Sequence, residues 1–154
     1  AYEKNLDTLI AEISEELDAA GIQHDVKGRS KHLYSIYRKM VLQNYGGKCC
    51  VTGLSVPDVL RASHISPWAE DEKNRLNPEN GLCLSATYDA AFDRHLISFD
   101  EHYRLIVSKT IKDHYTAAAT KAYFLDREGQ KMSLPTKFLP SQSLLEKHRE
   151  LLAG

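Results

Sequence analysis

The chain has few cysteines and no long apolar run, and each shortage excludes something. Its three cysteines, Cys49, Cys50 and Cys83, form no C-x-x-C pair, so the spacing of a structural zinc ribbon is missing. Adjacent cysteines rarely bond to each other, so all three read as buried thiols in a reducing, cytoplasmic setting. No apolar run approaches the roughly 18 residues that a membrane span needs. No secretory signal pattern is visible, and no internal repeat or low-complexity tract interrupts the chain. Negative charge is missing from one stretch. Residues 26–57 hold no Asp or Glu, yet contain Lys27, Arg29, Lys31, Arg38, Lys39 and Lys48. Such a patch suits phosphates, and it equally suits a solvated helix face. The net charge of −1 does not by itself announce a polyanionic partner.

At 154 residues and 42% apolar content, the chain suits one domain with an appendage. Tyr2, Leu6, Leu9, Ile10, Ile13 and Leu17 predict an amphipathic helix closed by Gly21. Residues 24–28 read as a short strand and turn, and Ser30 as the cap of a helix running through Val41. Gly46-Gly47 breaks that helix. Cys49–Thr52 and Val59–Ile65 read as strands of an antiparallel ribbon, with Gly81–Leu84 a further strand fragment. Residues 69–79 form a polar loop, long for a hairpin connection. A hairpin is predicted over 95–108, a loose helix over 111–124, and a short strand over 131–134. Ser143 and Glu146 read as a capping box for a last helix.

The chemistry concentrates between Leu60 and His95. Asp89 and Asp93 lie one helical turn apart behind Ser85, a candidate N-cap, so both carboxylates share a face. Like charges so placed repel unless a cation lies between them. A neutral imidazole such as His64 is a suitable base near pH 7, and Asn80 sits where it can hold a neighbouring strand in place. Carboxylate oxygens favour Mg²⁺ or Mn²⁺ over Zn²⁺. The bland readings are a structural histidine on an apolar strand and an Asp93–Arg94 helix-end pair. His95, His102, His114 and His148 show no partner spacing and read as surface residues.

The motifs Ser63-His64-Ile65-x-Pro67-Trp68, Asn80-Gly81-Leu82-x-Leu84 and Phe92-Asp93-Arg94 together resemble the HNH (ββα-metal) endonucleases of the restriction type, from about Tyr37 to Leu152. The resemblance implies an α+β fold: a ββα-metal core with an extra hairpin and flanking helices. It also implies hydrolysis of DNA phosphodiesters with one divalent ion. His64 would be the general base and Asn80 its orienter. Asp89 and Asp93 would be metal ligands, Asp89 standing where the family usually has His. Ser63 occupies a position that often holds a third ligand. Arg94, Arg75, Lys73 and Lys48 are the candidate DNA contacts. Double-strand cutting by such a site suits a homodimer, and no membrane association is expected.

Residues from Glu12 to Met40, with Gly-Ile-x-His-x-Val-x-Gly-Arg-Ser-Lys-His-Leu-Tyr-Ser-Ile-Tyr-Arg-Lys-Met, resemble a fragment of the alarmone (guanosine tetraphosphate) synthetases. That likeness implies a nucleotide-facing role for Arg29, Lys31 and Lys39. The strands carrying the synthetase's acidic residues do not follow, so the segment reads as a scaffold or phosphate-contacting arm. The expected organisation is an arm over 1–40 and a nuclease domain over 41–154. The competing functions are a nucleic-acid-binding module with a weak or inactive site, and a nucleotide-binding regulatory protein.

Overall fold

Leu33, Ile36, Tyr37, Met40 and Val41 recur at helical spacing. In the computed structural model, which describes residues 26–154, they form the buried stripe of helix α1 (Val26–Asn44). The helix is already established at Val26, so residues 26–28 are not the expected strand and turn. The helix predicted over 2–20 lies outside the described residues. Gly46 and Gly47 end α1 with φ values of 69° and 67°, which a side chain would disfavour.

The stretch Cys49–Thr52 is a turn rather than the expected first strand. Gly53, at φ 77°, donates its N–H to the Cys49 carbonyl at 2.8 Å, which curls the chain back on itself. The ribbon pairs β1 (Leu60–His64) with β2 (Gly81–Ser85), antiparallel, with His64 opposite Gly81 and Ser63 opposite Leu82. Helix α2 (Ala86–Asp93) follows β2 directly. Both α1 and α2 pack on the two strands. That two-sided cover explains why β2 is buried throughout and reads as a continuous apolar run rather than an alternating one.

The expected hairpin is present as β3 (Ile97–Phe99) paired with β4 (Leu105–Val107). Asp100 closes its turn by accepting from the His102 and Arg104 N–H groups at 2.8 and 2.9 Å. The loose helix over 111–124 is two short ones, α3 (Lys109–His114) and α4 (Ala118–Tyr123), separated where Tyr115 leaves helical geometry at φ −128°, ψ 88°. The strand predicted over 131–134 is reduced to a bridge between Arg104 and Lys131. The last helix, α5 (Gln142–Glu150), is capped by Ser141, which accepts from Leu144 N, and not by Ser143.

A boundary between residues 40 and 41 falls inside α1. Met40 and Val41 share one core with β1, β2 and α2, so the described part of the arm is built into the nuclease-like unit. Buried Asn44 extends this tie to the C-terminal segment. It accepts from the Lys137 and Phe138 N–H groups and donates to the Phe138 carbonyl at 3.0 Å.

His148 is buried at 4% exposure, not on the surface as its lack of sequence partners implied. Its Nε2–H donates to the Phe92 carbonyl, and its Nδ1 accepts from the Ser98 hydroxyl, both at 2.8 Å. The ring stacks on Phe92 at 3.7 Å. Burial disfavours the charged ring and pushes its pKa down to about 4. The unfolded chain therefore takes up a proton first as pH falls below 6.5, and stability drops until about pH 4. The shift corresponds to about 3 kcal/mol. Urea unfolding at pH 7.5 and 4.5 should show this loss, and His148→Gln should show a correspondingly smaller pH dependence.

Candidate active site

The ribbon and the helix behind it bring Ser63, His64, Asn80, Asp89 and Asp93 to one end of the fold. Side chains alternate along β1. Ser63 turns to α2, where its hydroxyl donates to Asp89 Oδ1. His64 turns to α1 and stacks face to face on Tyr37. Ser85 occupies the N-cap position of α2 without a side-chain cap bond.

His64 is half-buried. Its Nε2 lies 2.9 Å from the Arg75 carbonyl, an acceptor, so Nε2 carries the proton and Nδ1 carries the lone pair. Burial lowers the ring's pKa, partly opposed by the Arg75 carbonyl and the Asp89 charge. Burial thus favours the neutral imidazole.

The Asn80 side chain bonds to the loop rather than to the histidine ring. Fully buried, it accepts from Ser66 N at 2.8 Å and donates to the carbonyls of Ser66 and Asn74 at 3.1 and 3.0 Å. It thus ties both ends of the 66–80 loop, and that loop presents the Arg75 carbonyl to His64. The Asn80 carbonyl also receives Ile65 N–H, continuing the ribbon past His64.

Asp93 is an exposed residue, yet partial desolvation of its carboxyl, and next the nearby Asp89, raises its pKa to about 6; Arg94 and His95 oppose this. Asp89 and Asp93, with the Ser63 hydroxyl fixed on Asp89, are the hard oxygen donors on this helix face that could hold a divalent cation. Among the described residues, no group of three or more His, Cys, Asp or Glu side chains converges as a closed metal cage.

The candidate DNA contacts are placed less uniformly. Lys48, Lys73 and Arg94 are exposed. Arg75, expected to face DNA, instead donates from Nε to the Trp68 carbonyl at 2.6 Å and lies over the Trp68 ring at 5.3 Å. Arg38, part of the basic stretch, donates to the Pro57 and Leu60 carbonyls at 2.8 and 3.2 Å and so ties α1 to the start of β1. Tyr88, beside Asp89 on α2, is buried and donates its hydroxyl to the Tyr123 carbonyl.

Sequence reasoning missed three neighbours. Tyr37 was hidden in an ordinary apolar helix stripe. Tyr34 donates to the Ala62 carbonyl at 3.3 Å. Burial raises its pKa, Asp89 and Asp93 add to that, and Arg38 and Arg61 oppose it. Exposed Arg61, on β1, is thus a cation within electrostatic reach of the same tyrosine as the acidic pair. No spacing rule reveals it.

Residues 49–100 match the family described as HNH endonuclease. Among solved structures, one titled "Modification dependent TagI restriction endonuclease" superposes with a TM-score of 0.56 at 15% sequence identity. The match covers 77% of this chain and 38% of that one, so this chain spans well under half the length of that neighbour. At such identity the likeness is one of fold. Over residues 49–100 the chain is thus similar to HNH endonucleases, and its architecture is α+β, like that of the neighbour. The family match does not extend to residues 12–40, and the resemblance of that segment to alarmone synthetases is not supported.

Asn80→Ala removes all three loop bonds and takes the side-chain partner from the half-buried Ser66 N–H and carbonyl. We expect a stability loss of about 3 kcal/mol in urea melts, with faster amide exchange confined first to residues 66–79.

Proposed function

We propose that this protein is a divalent-metal-dependent DNA endonuclease, restriction-like, in which His64 is the general base. The observation that carries the reading is the hydrogen bond from His64 Nε2 to the Arg75 carbonyl, which leaves Nδ1 as the proton acceptor. Asp89 and Asp93 would hold one Mg²⁺ or Mn²⁺, with Ser63 orienting Asp89. When bound, the ion supplies charge neutralisation at the phosphate and at the leaving oxygen.

His64 Nδ1 removes a proton from water as the water oxygen bonds to phosphorus. The bond to the 3′ oxygen breaks, and that oxygen leaves with a proton from solvent. Asn80 acts at a distance, by keeping the loop that carries the Arg75 carbonyl in register. Arg94, Lys73 and Lys48, together with Arg61, would meet the DNA backbone. Cutting both strands would engage two copies of the chain. A reducing, cytoplasmic setting is supported by three free, buried cysteines. No helix among the described residues is long and apolar enough to cross a membrane.

A second reading is a DNA-binding module with an inactive site. It is favoured by Ser63, whose buried hydroxyl is engaged by Asp89 at a position where a further ligand is expected.

Plasmid cleavage separates the two. Cutting should require Mg²⁺ or Mn²⁺ and stop with chelator. His64→Ala should lose roughly 10²- to 10⁴-fold in rate. Undiminished cutting by His64→Ala would remove the base assignment. Salt-dependent DNA binding with no turnover in any divalent ion would favour the inactive module.

A further inference from the structure

We propose that Tyr37, on α1, is a positioning residue that sets the ring plane of His64; this rests on His64 being the base. The Tyr37 ring is fully buried and lies on the imidazole with centroids 4.1 Å apart and planes 14° apart. A hydrogen bond to the Arg75 carbonyl fixes where Nε2 points, but the ring can still turn about that bond. A flat, immobile partner against its face removes the remaining freedom, and so aims the Nδ1 lone pair.

Tyr37 is itself held at both ends. Its hydroxyl donates to the Asn80 carbonyl at 3.0 Å, and its stem sits in the core beside Met40 and Val41. Trp68 also lies against the imidazole, in a perpendicular arrangement at 5.5 Å and 83°.

The slot for Tyr37 exists because the residue paired with His64 is glycine. A Cβ on Gly81 would stand 2.6 Å from the Tyr37 hydroxyl oxygen and 2.7 Å from Val41 Cγ2. Gly81 has ordinary extended geometry, at φ −127° and ψ 138°, so its missing side chain serves close approach rather than a special turn. Helix α1 enters the ribbon at this point and reaches the base through it. The segment therefore belongs to the catalytic unit, although the HNH match begins only at residue 49.

The test is a double-mutant cycle on single-turnover and steady-state cleavage. Tyr37→Leu keeps apolar bulk but loses the flat face. It should lower kcat about 10- to 100-fold, the scale of a misaimed catalytic group, with KM unchanged. Tyr37→Phe keeps the face and should recover most of that loss. In the His64→Ala background, Tyr37→Leu should have no further effect, because there is no imidazole left to aim. An equal fold-loss in that background, a change confined to KM, or wild-type kcat in Tyr37→Leu would each overturn the proposal. Should Tyr37→Leu fail to fold, Gly81→Ala carries the same test by crowding Tyr37 off the ring, and unchanged kcat there would overturn it. If His64→Ala itself cuts normally, the base assignment fails first. If His64→Ala is impaired while Tyr37→Leu is not, only the role of Tyr37 fails.

Discussion

The pairing of Leu60–His64 with Gly81–Ser85 is the constraint on which the candidate site depends. Because strand side chains alternate, this register sends Ser63 to the acidic helix and His64 to the aromatic one. A slip of one residue would exchange them and break both contacts at once. The same register sets Gly81 against His64, which is where α1 can come close. Packing on both faces makes the register costly to change, since any slip would also disturb the buried row of Leu82, Cys83 and Leu84.

Around the ribbon, backbone groups do much of the positioning. The 66–80 loop has little regular structure, and Asn80 supplies the hydrogen bonds that a strand or helix would otherwise provide. Through that loop Arg75, chosen from sequence for its charge, also sets its carbonyl oxygen against His64 Nε2. Its guanidinium is turned inward on Trp68, which holds the loop against itself.

Electrostatically, the site sets cost against compensation. Partial desolvation and the neighbouring Asp89 raise Asp93 to about 6. Tyr34 lies in the field of both the acidic pair and the cations Arg38 and Arg61, which marks the place where opposite charges meet. A nearly neutral chain can therefore address a polyanion through local arrangement, without an overall positive charge.

The motif residues picked out the candidate site. His64, Asn80 and the Asp89/Asp93 turn were legible from spacing, as were the hairpin after His95 and the stripe of α1, because period and residue type are local properties. Partners were not legible. Cys49–Thr52 looked like a strand until a left-handed Gly53 curled it into a turn, and His148 looked superficial until Phe92 and Ser98 enclosed it. Tyr37 looked like core because nothing in a helical repeat says which ring it will meet. Residue order thus determined which groups this protein can use and which element bears each one. Tertiary packing alone decided which nitrogen of His64 is free, what Arg75 contributes and why position 81 carries no side chain, because each depends on contacts between residues far apart in the chain.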